Sequence, residues 1–233
     1  MTKELLSAWG VDFEPVNVEG NDDAIREMVA LGAPLVPAVA YGGKIVHGWN
    51  PAGFGKLLGV PFSDVPRLGP RELARRLDRI LELTQAALRR AAPAHLPLEG
   101  PGRKRSLRQL AYHTFRLSAA FVDAMEQDGL EEAWLQQEAP ANLQSAGQIA
   151  EYGDTARRRL AAWFAQAHEP VFAQPVATYY GEQSVHALLE RTAWHAGQHM
   201  RQVHDLLERA AALPANSFDS AVFRDLPMPK AVW

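Results

Sequence analysis

Beyond residue 70 the apolar residues fall into four long stripes of helical period, and this pattern constrains the fold more than any other feature. Over 71–90, Leu73, Leu77, Ile80, Leu81, Thr84 and Leu88 share one face. Ser106 is placed to cap a second helix that turns Leu107, Leu110, Thr114, Leu117, Phe121 and Met125 inward. A third, from Ser145 to His168, carries Ile149, Tyr152, Leu160, Trp163 and Phe164, and a fourth, from Ser184 to Leu213, carries Val185, Leu188, Thr192, Val203 and Leu206. The Pro/Gly-rich stretch 93–102 separates the first two. Four such helices predict an all-α four-helix bundle over 71–213. The tail, 214–233, sets Phe218, Phe223, Leu226, Met228 and Trp233 among prolines and is expected to pack on the surface.

The first sixty residues alternate between helical and extended signals. Thr2 to Trp9 reads as a short helix with Leu5 and Leu6 inward, closed by Gly10. Val11, Phe13, Val16 and Val18 make a half-buried strand pattern interrupted by Pro15. Asn21 or Asp22 caps a helix over 23–31 with Ile25, Met28 and Val29 on one face. Leu35–Tyr41 and Lys44–His47 predict a hairpin around Gly42-Gly43, and Pro51 opens a last short helix. The order α-β-α-β-β-α indicates an α+β domain over 1–60, and the prolines and glycine of 61–70 read as a linker.

The chain has 233 residues, 24 Lys+Arg against 27 Asp+Glu, and no cysteine. Without cysteine there is no disulfide scaffold, no thiolate ligand and no cysteine nucleophile. A formal net charge of −3 offers no electrostatic footprint for nucleic acid or an acidic membrane. The runs Arg103-Lys104-Arg105 and Arg157-Arg158-Arg159 read as solvated faces. No stretch approaches the roughly 18–20 apolar residues of a membrane span, and Met1–Gly10 lacks the pattern of a secretory signal, so a cytoplasmic location is expected.

The chemistry concentrates on the fourth helix, in Arg191-Thr-Ala-Trp-His195-Ala-Gly-Gln-His199-Met-Arg-Gln202. His195 and His199 lie one turn apart on the apolar stripe, where leucine would normally stand. Buried imidazoles are costly unless a metal or a hydrogen-bond network satisfies them. His113, between Leu110 and Leu117 on the second helix, completes a candidate His₃ metal site. Gln202 is placed to orient one of the imidazoles. Tyr179 and Tyr180, just before the fourth helix, are candidates for catalytic or lid residues at the mouth of the site. His47, His95, His168, His186 and His204 read as surface or capping residues.

Leu110-Ala-Tyr-His113 with His195-x₃-His199-x₂-Gln202 resembles the DinB/YfiT-like superfamily of metal-binding four-helix bundles, over about residues 70–213. The resemblance implies a divalent metal, zinc or nickel foremost, on His113, His195 and His199. It also implies reactions dependent on a low-molecular-weight thiol such as glutathione: transfer, isomerisation or hydrolysis of a small-molecule substrate. The competing reading is a non-enzymatic, stress-related scaffold or a thiol- or metal-binding module.

The first sixty residues resemble a glutaredoxin. Thr2-Lys3-x-Leu5-Leu6, Val11-Asp12-Phe13, Val16-Asn17-Val18, Leu31-Gly32, Val36-Pro37-x-Val39 and Gly48-Trp49-x-Pro51 follow the family order. The resemblance implies a cis-proline turn at Val36-Pro37 that pairs with a bound thiol. The family's first strand and its Cys-x-x-Cys or Cys-x-x-Ser motif do not precede the Thr2 helix. Either an upstream strand with its cysteine lies outside this sequence, or this copy lacks both and serves docking or thiol recognition. Without the cysteine, thiol–disulfide exchange has no nucleophile. Without the strand, a sheet edge is left for another segment or a second copy of the chain, so a homodimer is expected.

Overall fold

The computed structural model describes residues 2–18, 20–34, 36–48, 50–61, 66–101 and 105–233. The chain divides into two compact units, Met1–Pro66 and Arg67–Trp233.

The first unit contains α1 (Thr2–Ala8), α2 (Asp22–Ala30), β1 (Ala38–Tyr41), β2 (Lys44–His47) and α3 (Pro51–Leu58). Gly42 and Gly43 both take positive φ, 56° and 73°, which a two-residue turn of this hand requires; the antiparallel pairing then runs from Tyr41 opposite Lys44 to Ala38 opposite His47. Asn21 caps α2 by accepting from Ala24 N, and Asn50 caps α3 by accepting from Gly53 N at 2.8 Å. The core is small: Leu5, Leu6, Val39 and Phe54 are buried, with Trp9, Val11, Val46, Leu57 and Leu58 packed around them.

Two expectations fail here. Residues 11–18 form no strand: Pro15 removes a ladder donor, no described strand pairs with the segment, and Val16 stays 62% exposed. The stripe on α2 does not face inward either; Ala24 is its buried residue, while Val29 is 56% exposed. Periodicity marks an apolar face but not whether anything covers it. The predicted strand start at Leu35 and the motif residue Trp49 lie outside the described residues, as do Arg103 and Lys104 of the first basic run.

The second unit is mostly helical. Four long helices, α4 (Pro70–Leu88), α5 (Leu107–Glu126), α7 (Ala146–Gln166) and α8 (Val185–Arg209), enclose one continuous apolar core, with a one-turn α6 (Glu132–Leu135) between α5 and α7. Helices α7 and α8 each pack against both α4 and α5. Ser106, Ser145 and Ser184 cap α5, α7 and α8 through the N–H three residues on, and Ser145 forms a reciprocal capping box with Gln148. Three short strands were not predicted: β3 (Gly129–Leu130), β4 (Pro175–Thr178) and β5 (Gln183–Ser184) form a small sheet in the order β3-β4-β5. Runs of two to four residues are too short to show a period.

The run Arg157-Arg158-Arg159 is not simply a solvated face. Arg157 pairs with both carboxylate oxygens of Asp78 on α4, at 2.7 and 2.9 Å, and Arg159 donates to Asp123 on α5 at 2.8 Å. Among the described residues no helix is long and apolar enough to cross a membrane.

Candidate metal centre

Helix α5 supplies His113, and α8 supplies His195 and His199 one turn apart. Leu110, Thr114 and Leu117 on α5, and Leu188, Thr192 and Val203 on α8, are buried around them, so the apolar packing that joins these helices also brings the imidazoles together. One nitrogen from each of the three rings lies within 4.8 Å of the other two. Ring centroids are 4.9 Å apart for His113 and His199, 4.7 Å for His195 and His199, and 6.0 Å for His113 and His195.

The proton positions suit ligation. His199, 1% exposed, places Nδ1 2.8 Å from Oε1 of Gln202. A carboxamide oxygen only accepts, so Nδ1 is the donor in this contact, and in the neutral ring that leaves the lone pair on Nε2. The Gln202 amide is itself oriented, because its Nε2 donates to the Val232 carbonyl at 2.9 Å. Packing around His195 holds it well below the ordinary imidazole value of 6.5, and neighbouring His199, Arg191 and His113 push in the same direction. His195 is therefore neutral, the form that binds metal.

Three imidazole nitrogens and no carboxylate form a donor set that accommodates zinc, nickel, iron or copper and leaves a position open. Metal–nitrogen bonds of about 2.0–2.1 Å around a tetrahedral ion require nitrogens roughly 3.3 Å apart. Even from the 4.8 Å limit, each ring needs an inward shift of under about 1 Å. The residues fit such an ion.

Beside the triad, Leu117, Phe121, Leu130, Leu135 and Leu188 wall a narrow cleft whose polar side is Arg191, Thr192 and His195. Arg191 is only 8% exposed. Its guanidinium donates to the Tyr180 hydroxyl at 2.9 Å and the Tyr179 hydroxyl at 3.2 Å, and lies 4.3 Å from the centroid of the Tyr180 ring. Burial raises the Tyr180 phenol above its ordinary value of 10 while Arg191 opposes the rise. Both tyrosines thus belong to the wall around Arg191. Arg191 was missed in the sequence, although it stands four residues before His195 on the same helical face.

Val36 and Pro37 belong to the first unit, and the bond between them is cis, as the resemblance implies. Of the remaining histidines, His204 departs from its expected surface role. It is buried, shares Nδ1 with the Ser217 hydroxyl at 2.6 Å, and meets the Phe218 ring edge to face. His186 bonds the Leu68 carbonyl at 2.8 Å, and Nδ1 of His95 accepts from Ala92 N at 3.0 Å.

Comparison with known families bears on the first unit. The glutaredoxin family model matches residues 1–46. The amino-terminal unit is therefore glutaredoxin-like, and the cis bond at Pro37 and the Gly42-Gly43 turn fall inside the matched span. The glutaredoxin-like unit contains no cysteine in this sequence. No curated protein matches the chain.

Proposed function

We propose that the second unit is a four-helix bundle of the DinB/YfiT-like type and that His113, His195 and His199 hold one divalent metal ion, zinc or nickel. The observation that carries this reading is the convergence of three imidazole nitrogens within 4.8 Å, from two helices, at positions where a bundle core calls for leucine. When bound, the ion would act as a Lewis acid that polarises a carbonyl or lowers the pKa of a water or thiol at its open position. Around it the chain's own groups have distinct tasks. Gln202 fixes the His199 tautomer, the leucine-walled cleft excludes water, and Arg191 with Tyr179 and Tyr180 supplies positive charge and hydroxyls beside His195.

The chemistry we assign is metal-assisted, glutathione-like thiol chemistry on a small molecule: transfer, isomerisation or hydrolysis. The Arg191 guanidinium, whose charge acts on His195, would favour the thiolate over the thiol of a ligand bound beside that ring. None of the 233 residues is a cysteine, and we assign the role of sulfur nucleophile to a soluble thiol. We assign recognition of that thiol to Val36 and Pro37 of the glutaredoxin-like unit, in keeping with the family match over residues 1–46.

The test is spectroscopic. The cobalt(II)-loaded chain titrated with glutathione should develop a near-ultraviolet sulfur-to-cobalt charge-transfer band, absent in H195A. A cobalt-loaded protein whose spectrum ignores glutathione and other small thiols would exclude thiol chemistry at this site.

A further inference from the structure

We infer that residues 229–233 form a strap that sets the His199 tautomer through Gln202 and thereby tunes the affinity of the metal site; this rests on the metal reading above. Four residues of α8 on one face, Gln198, Arg201, Gln202 and Asp205, hold this segment. Arg201 donates to the carbonyls of Pro229 at 2.6 Å and Lys230 at 3.1 Å. Gln198 Nε2 donates to those of Ala231 at 3.2 Å and Val232 at 2.6 Å, and Gln202 Nε2 reaches Val232 at 2.9 Å. The Trp233 indole N–H donates to Asp205 Oδ2 at 2.6 Å, and the indole ring lies so close over Gly100 that a Cβ there would fall 2.1 Å from it.

The consequence follows from the two ends of a carboxamide. Gln202 is buried and can turn either its oxygen or its NH₂ toward His199. The Val232 carbonyl accepts only, so it holds the NH₂ and leaves the oxygen for His199 Nδ1–H. With the strap displaced, the amide can turn over and donate to Nδ1. The proton then moves to Nε2, and the lone pair available for an ion at Nε2 is lost. Val232 and Gln202 are in this sense positioning residues. The relay also runs in reverse, because an ion that favours the Nδ1–H tautomer favours the docked strap by the same factor.

The experiment measures zinc affinity by chelator competition in the full chain and, separately, the His199 tautomer in the metal-free protein by ¹⁵N NMR of the imidazole. Q202A should weaken zinc by about 10–100-fold. W233A should weaken it several-fold, and W233A/Q202A should be no weaker than Q202A alone, because the strap acts through Gln202. G100A, which displaces the indole without altering the strap itself, should reproduce W233A. In the metal-free wild type the Nδ1–H tautomer should dominate, and W233A should shift it toward Nε2–H. Zinc affinity within twofold of wild type in both W233A and G100A, or effects of W233A and Q202A that multiply, would overturn the coupling to the metal. A tautomer indifferent to W233A would overturn the relay itself. A chain that binds no zinc but shows the strap-dependent tautomer would instead remove the metal reading while the relay stands.

Discussion

The rings of His113 and His199 stand edge to face across the contact between α5 and α8, with 4.9 Å between their centroids. Imidazoles gathered in a core from two helices make the helix contact responsive to any ion they share. Zinc at about 100 times its Kd should stabilise the native state by about 2.7 kcal/mol. For a unit of this size that raises Tm by about 5–10 °C. Calorimetry of the zinc-loaded chain before and after chelator measures it, and H199A should show no response.

Acid should destabilise the metal-free protein. Burial depresses His195 well below the ordinary value of 6.5 and lowers His204 as well. Below pH 6.5 the unfolded chain takes up protons that the folded chain refuses, so stability falls as pH falls from 6.5 toward the depressed folded values. Above 6.5 both states are neutral at these positions and the contribution is flat. Urea unfolding at pH 7.5 and pH 5.0 should give the lower midpoint at pH 5.0, and H204Q should reduce the difference.

Asp123 joins α5 to α7 by taking Arg116 at 2.6 Å and Arg159 at 2.8 Å on its two oxygens, with Arg116 nearly buried. Removing the carboxylate strands a buried guanidinium, and breaking such a pair costs about 3–5 kcal/mol. D123A should lower the urea midpoint accordingly. R159A should cost far less, because the Asp123–Arg116 pair survives it.

Helix α7 passes α5 at Gly153, where a Cβ would fall 2.7 Å from Cε1 of the fully buried Phe115. Alanine gains about 1 kcal/mol of helix propensity over glycine. Forcing the Phe115 ring aside costs about 1–3 kcal/mol. G153A should therefore be destabilising by about 1 kcal/mol in chemical denaturation, the reverse of the usual effect of this substitution in a helix.

What the sequence disclosed follows from the range of each signal. The stripes that carry His195 and His199 are local, so their common face is readable from spacing alone. Arg191 lies on the same face, yet its charge reads as a surface residue, and only its burial against Tyr179 and Tyr180 reveals its place. The strap escapes sequence reading entirely, because Val232 acts through its backbone carbonyl. Arg157 and Arg159 look like a solvated basic run because their partners Asp78 and Asp123 stand 79 and 36 positions away. The apolar alternation of Val11, Phe13, Val16 and Val18 is a strand signal, but a strand needs a neighbour with which to pair, and no local pattern records one.

The most direct measurement is metal stoichiometry by elemental analysis after equilibration with zinc or nickel and exhaustive dialysis. The wild-type chain should retain about one ion, while H113A, H195A and H199A, each shown to be folded by circular dichroism, should retain none. A folded wild-type chain that retains no ion, or histidine variants that keep it, would contradict the account.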